Sequence, residues 1–199
     1  MIVNQDRFNR AIKLFDDLNS KDPNLEIFNG KKRPKELLYA ERISIMLHKY
    51  VPNPSESLQL AARCQHIQRW KIKRDKFPIT KSGYYQWRKN LKKLHANTAK
   101  AILRKVGYEE DIINHVLQLV KKERLKSDNE AQTLEDVIVL VFIESYLEEF
   151  IHNHSNFDGS KIMDIVFKSL HKMTAKGRQA VLTMIKIPPS VFPIIKKLY

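Results

Sequence analysis

Apolar residues recur along this chain at the spacing of an α-helix, and no segment sustains the alternation that a half-buried strand needs. Phe8, Ala11, Ile12, Phe15 and Leu18 mark a first amphipathic helix. Residues 20–33, punctuated by Asp-Pro and Asn-Gly, read as a loop. Pro34 then fits the first turn of a second helix reaching Tyr50. Asn53 as cap, Pro54 in the first helical position and Glu56 three residues after the cap start a third helix, which should end near Trp70. A basic loop carrying Pro78 follows. A long fourth helix spans Ser82 to Val106, with Gly107 placed to close it, and a fifth spans Glu109 to Arg124. The run Val-Ile-Val-Leu-Val-Phe-Ile within residues 130–150 has strand propensity, but its apolar period continues through Tyr146, Leu147 and Phe150 and favours a sixth, central helix. Two or three shorter helices follow Gly159, and Pro188, Pro189 and Pro193 break up the tail. The expected fold is all-α: one helical domain over residues 1–199, a bundle of about eight helices.

The charge is as uneven as the period is regular. Between Arg63 and Lys105 there are fourteen lysines and arginines and one acid, Asp75, so this window carries nearly all of the formal +14. Both tryptophans, Trp70 and Trp87, and two histidines, His66 and His95, fall inside it. A concentrated positive potential attracts anions, and neighbouring aromatic rings can stack on bases. The single cysteine, Cys64, excludes an internal disulfide framework. The Met-Ile-Val-Asn-Gln-Asp-Arg start lacks the apolar run of a secretory signal, and the longest apolar run, Val137 to Ile143, is far short of a membrane span. The expected place of work is the cytoplasm, with no membrane insertion. No Walker loop, dinucleotide glycine signature, zinc-finger spacing or nucleophile elbow is present.

Helical periodicity also sorts polar residues into faces. On the fourth helix Arg88 and His95 lie within the apolar stripe of Tyr84, Trp87, Leu91, Leu94, Thr98, Ile102 and Val106, while Lys89, Lys93, Lys100 and Arg104 form a ridge opposite. Asp136 shares the inner face of the sixth helix with Leu140, Ile143 and Leu147. A buried carboxylate needs a partner, and Arg88, His95 or a metal could supply it. On the third helix Arg63, His66, Arg69 and Trp70 gather on one side, a wall with anion-binding and stacking capacity. Glu41 on the second helix could face the same cleft. The competing assignment is structural throughout: the histidines donate to backbone carbonyls, Asp136 pairs with Arg88 or favours a helix start, the lysine ridge is a solvated face and the tryptophans are core.

Several strings carry a resemblance. Pro-Lys-Glu-Leu-Leu-Tyr-Ala-Glu-Arg (34–42), Leu-Gln-Leu-Ala-Ala-Arg-Cys-Gln-His-Ile-Gln-Arg-Trp (58–70), Gly-Tyr-Tyr-Gln-Trp-Arg (83–88), Leu-His-Ala (94–96), Val-Gly-Tyr (106–108) and Leu-Glu-Asp-Val (134–137) resemble domain-of-unknown-function family 4202 over almost the whole chain. That family brings no established activity. More distantly, the order of elements is similar to the HD superfamily of helical metal-dependent phosphohydrolases. This likeness implies a divalent metal on His66, His95 and Asp136. It departs from the HD pattern in that Gln65-His66 stands where His-Asp is expected, and Glu36 or Tyr39 is nearest to the first ligand position.

Two functions follow as expectations. The first is a basic pocket for a nucleotide or other phosphorylated small molecule. Arg63, Arg69, Trp70, Arg74 and Arg88 would bind the ligand, one metal would sit on His66, His95 and Asp136, and Glu41 or Glu135 would act as general base in phosphoryl hydrolysis. The second is an RNA-binding helical module without catalysis, in which the lysine ridge tracks phosphates and the 71–81 loop supplies flexible contacts.

Overall fold

Asn4 caps the first helix, its side-chain oxygen accepting from Arg7 N–H, and α1 (Gln5–Asn19) buries Ala11 and Phe15 on the face the apolar period marks. A computed structural model describes residues 2, 4–125, 127–154 and 158–198. The expected loop before the second helix holds a small hairpin, β1 (Leu25–Phe28) paired antiparallel with β2 (Lys31–Pro34). Its two-residue turn is Asn29-Gly30, with φ of 51° and 73°, the left-handed pair that a tight hairpin turn requires. The Asn-Gly in the sequence is therefore a hairpin signal, not mere loop punctuation.

Next come α2 (Lys35–Tyr50), α3 (Glu56–Cys64), α4 (Lys81–Lys105) and α5 (Glu110–Lys121). The cap of α3 is Ser55, accepting from Leu58 N–H, two residues beyond the expected Asn53. That helix also stops six residues before Trp70, giving way to turns and two one-turn 3-10 helices, Arg69–Lys71 and Arg74–Lys76. Thr80 caps α4, and Gly107, at φ 86°, ends it as expected. Then follow α6 (Asn129–Ser145), α7 (Leu147–Asn153), α8 (Gly159–His171), α9 (Ala175–Thr183) and α10 (Phe192–Lys196). The single helix expected over 130–150 is broken at Tyr146, whose φ of −131° leaves the helical region, so the helices exceed the expected eight or so. The fold is all-α apart from the hairpin.

The chain divides into two compact units, Met1–Arg124 and Leu125–Tyr199. In the first, α3 lies against α1, α2 and α5, and α4 lies against α5. Its core holds Phe15, Ile43, Leu47, Leu60, Ile67, Leu91, Leu103 and Ile113, all essentially sealed from water. Each such side chain contributes about 1.5–3 kcal/mol by burial. In the second unit α6 packs on α7 and α9 around Leu134, Val137, Leu140 and Val181. Among the described residues no helix is long and apolar enough to cross a membrane.

Candidate functional site

The early end of α3 shapes the site. Gln68 adopts φ 55°, a left-handed conformation uncommon outside glycine, and its N–H donates to the buried Asn19 Oδ1 at 3.0 Å. The chain that follows is pinned to the start of α4. Arg74 donates to the Phe77 and Pro78 carbonyls, both at 2.9 Å, and Trp87 Nε1 donates to the Ile72 carbonyl at 2.9 Å. Gly83 lets the backbone close in, since a Cβ there would stand 2.2 Å from the Pro78 carbonyl oxygen. The 71–81 loop, expected to supply flexible contacts, is joined to α4 at Ile72 and Pro78.

Behind this loop lies a line of polar groups in the first unit. Glu36, in the first turn of α2, has its Oε2 3.6 Å from His66 Nδ1 and its Oε1 3.8 Å from Arg69 Nε. Arg69 Nη1 sits 3.4 Å from His66 Nε2. A guanidinium can only donate, so Nε2 accepts and Nδ1 carries the hydrogen toward Glu36. The Arg69 guanidinium also covers the Trp87 ring at 4.9 Å, and the His66 ring stacks on Tyr39 at 4.2 Å. His95 is buried on α4, its ring 5.9 Å from that of His66. Its Nδ1 donates to the Ile67 carbonyl at 2.8 Å, which leaves Nε2 as a bare acceptor, buried and without a partner.

Burial dominates the titration of this line. It pushes the Glu36 carboxyl up to about 7, against the pull of Arg69. It lowers His95 to about 4, with Arg69 and Arg88 adding to the effect despite the Ile67 hydrogen bond. It holds His66 well below the usual imidazole range, helped by Arg69, His95, Arg88 and Lys122. Both imidazoles are neutral at pH 7.

Gln65, His66, Arg88, Leu91, Lys92, His95, Val120 and Lys122 line a cavity of about 10 Å³. Arg88 pairs with no carboxylate or carbonyl among the described residues, whereas Arg63, Arg74 and Arg104 each do. Lys122 reaches the cavity from the end of α5, where it adopts φ 58°, the left-handed conformation usually given to glycine. The Gln65 side-chain oxygen, like His95 Nε2, is buried without a partner.

Of the residues singled out in the sequence, Arg88, His66 and His95 therefore meet, and Arg69 stands beside them. Others do not join. Arg63 gives Nε and Nη2 to the two oxygens of Asp16, both at 2.7 Å, and lines a different, more apolar cavity of about 130 Å³ with Phe8, Ile12 and Leu47. Arg74 is committed to the loop carbonyls, and Trp70 is half-buried in the first 3-10 turn. Glu41 pairs with Arg33 at 2.7 Å. Glu135 and Asp136 are buried in α6 of the second unit. Asp136 accepts from Thr174 N at 2.9 Å, Thr174 Oγ1 at 2.5 Å and Gln132 Nε2 at 3.4 Å, anchoring the start of α9. Composition and period did not place Glu36, Gln65 or Lys122 at the site; only the HD likeness put Glu36 nearest a ligand position and Gln65 beside His66. Glu36 reads as a favourable acid in a first helical turn and Lys122 as a favourable base in a last one, so neither carried a distinguishing signal.

A resident metal does not fit these groups. Among the described residues no three His, Cys, Asp or Glu side chains are grouped to hold one. Asp136 has a donor on each oxygen, and Arg69, Arg88 and Lys122 set a repulsive field for a cation at the two imidazoles.

The model of a family described as a domain of unknown function (DUF4202) matches residues 9–195, and the chain belongs to that family. No curated protein and no solved structure matches it.

Proposed function

We propose that this DUF4202 member is an anion-binding protein whose first unit takes the phosphate group of a larger ligand on Arg88, Lys92 and Lys122. The observation that carries this reading is the pairing pattern: at the cavity Arg88 has no carboxylate or carbonyl, and the neighbouring imidazoles are neutral. An unneutralised guanidinium beside two lysines is a bidentate holder for phosphate oxygens. A cavity of about 10 Å³ is far below the ~300–1,000 Å³ of enclosing ligand pockets, so the body of a nucleotide stays outside it. The HD likeness would add a metal and phosphoryl hydrolysis, but the groups present do not favour a metal.

RNA as the phosphate-bearing ligand is supported separately. Tyr84 and Tyr85 are 45% and 59% exposed at the start of α4, in ring contact with one another, and Tyr84 also touches Trp87. Exposed Lys71, Lys73, Lys76, Lys81, Lys89 and Lys93 belong to the same stretch of chain. Aromatic platforms among exposed lysines suit a single strand, with stacking of about 1–3 kcal/mol per base.

Titration of the purified chain with adenosine monophosphate and with a single-stranded RNA carrying a 5′-phosphate tests both. Arg88→Gln should weaken either ligand about ten-fold or more, with the melting temperature unchanged. Replacing Lys89 and Lys93 with Gln should flatten the salt dependence of RNA binding by roughly 0.7 in log–log slope for each phosphate no longer neutralised. Unaltered binding by the Arg88 variant would sink the pocket reading.

A further inference from the structure

The cavity combines charges that attract an anion with two acceptors that would repel one. His95 Nε2 is a lone pair, because Nδ1–H is engaged by the Ile67 carbonyl. The Gln65 side-chain oxygen is an acceptor as well, and both atoms are buried without a donor. Around them stand Arg88 and Lys92 from α4, Lys122 from the end of α5, and His66 and Arg69 from the segment after α3. An anion with only acceptor oxygens would satisfy the cations and set lone pairs against lone pairs. A ligand that meets both demands is negative overall and still carries an O–H.

Resting on the anion-binding reading above, we infer that this cavity seats one hydroxyl oxygen of a protonated phosphate group. The site then selects inorganic phosphate and phosphomonoester ends over phosphodiesters and sulfate. The size agrees: about 10 Å³ has room for roughly one water-sized atom group, not for a whole phosphate. The hydroxyl enters and donates to His95 Nε2 or Gln65 Oε1, while the remaining oxygens face the half-exposed Arg88, Lys92 and Lys122 at the mouth. A monoester phosphate dianion takes up its first proton near pH 6, so an O–H is available close to neutrality. A diester never carries one. An internal RNA phosphate would therefore lie on the lysine ridge, and a terminal phosphate would enter the seat.

Isothermal titration of the full chain at about pH 6 with inorganic phosphate, sulfate and dimethyl phosphate separates this from plain charge attraction. Sulfate is the more highly charged ion and dimethyl phosphate matches the charge of dihydrogen phosphate, so neither charge ranking favours phosphate. Phosphate should bind about ten-fold more tightly than both, the order expected when buried acceptors are left without donors. In His95→Asn, whose amide can still donate to the Ile67 carbonyl, the three affinities should converge to within about two-fold, with sulfate bound no more weakly than by the wild-type chain. Gln65→Met gives the same comparison should His95→Asn fail to fold. Equal binding of all three ions by the wild-type chain, or discrimination that survives both variants, overturns the seat and leaves the anion site standing. Failure of every ion to bind overturns the anion site itself. Adenosine monophosphate binding as well as phosphate would identify a monoester end as the ligand, and phosphate alone would identify the free ion.

Discussion

Asp136 and His95 are both polar, both buried and both on the inner face of a long helix, yet they are used in opposite ways. Around Asp136 every oxygen has a donor, and the backbone is shaped to it: a Cβ on Gly177 would lie 2.5 Å from its Cγ. Around His95 one ring nitrogen is engaged and the other is not, and the Gln65 oxygen nearby is in the same condition. The first arrangement is a lock, because nothing is left for a ligand to satisfy. The second has unspent hydrogen-bonding capacity, which a folded chain tolerates only where something else can use it. An inward polar residue in a helical period is thus ambiguous until its lone pairs are counted.

The lock should give the largest response. Asp136→Ala leaves the Thr174 N–H and hydroxyl without an acceptor and should cost about 3–4 kcal/mol in urea unfolding, with phosphate affinity unchanged. Gly177→Ala should approach that loss, because its methyl would displace the carboxylate. A small loss in either variant, or a loss of anion binding at constant stability, would break the contrast between the two regions.

The open region should show itself in pH. Glu36 has a carboxyl raised from 4.5 to about 7, so the folded chain holds this proton more tightly than the unfolded one. Its contribution is full below about pH 4.5 and is lost as pH rises to about 7. His95, lowered from 6.5 to about 4, behaves conversely: its contribution is present above 6.5 and is lost as pH falls toward 4. His66 shifts in the same direction as His95. Between 4.5 and 6.5 Glu36 therefore offsets one imidazole. Glu36→Gln should remove that offset and steepen the acid loss of stability by about 3 kcal/mol across the window, read from urea midpoints against pH. An unchanged slope would show that Glu36 is not protonated in the folded chain.

Much of this is legible in the residues, and the failures are instructive. The face of α1 follows from period alone, since burial against a core enforces it, and that of α4 in part: Leu91, His95, Ile102 and Val106 are buried, but Tyr84, which period puts in the same stripe, is exposed. His95 stands out because a polar residue interrupts an apolar stripe, and Asp136 for the same reason. Their partners do not. Thr174 lies 38 residues from Asp136 and Ile67 lies 28 from His95, and nothing local points across such separations. Arg63 precedes His66 by three residues and looks equivalent to it, but the early end of α3 and the position of Asp16 send them to different cavities. Helix breaks such as Tyr146 are invisible because the apolar pattern runs through them. The hairpin is written in Asn29-Gly30, yet no alternating flanks announce it.

The smallest effect is the most discriminating. Lys122 closes α5 in a conformation that costs an ordinary side chain about 1–2 kcal/mol relative to glycine. Glycine would relieve that strain but adds freedom to the unfolded chain, offsetting part of the gain. Lys122→Gly should accordingly leave the chain up to about 1 kcal/mol more stable in urea, while weakening phosphate binding several-fold through loss of a charge at the cavity. A residue kept for packing would give the reverse, a loss of stability with affinity untouched. Opposed changes in the two readouts would mark Lys122 as strained in the service of a ligand, which is where backbone strain in folded proteins concentrates.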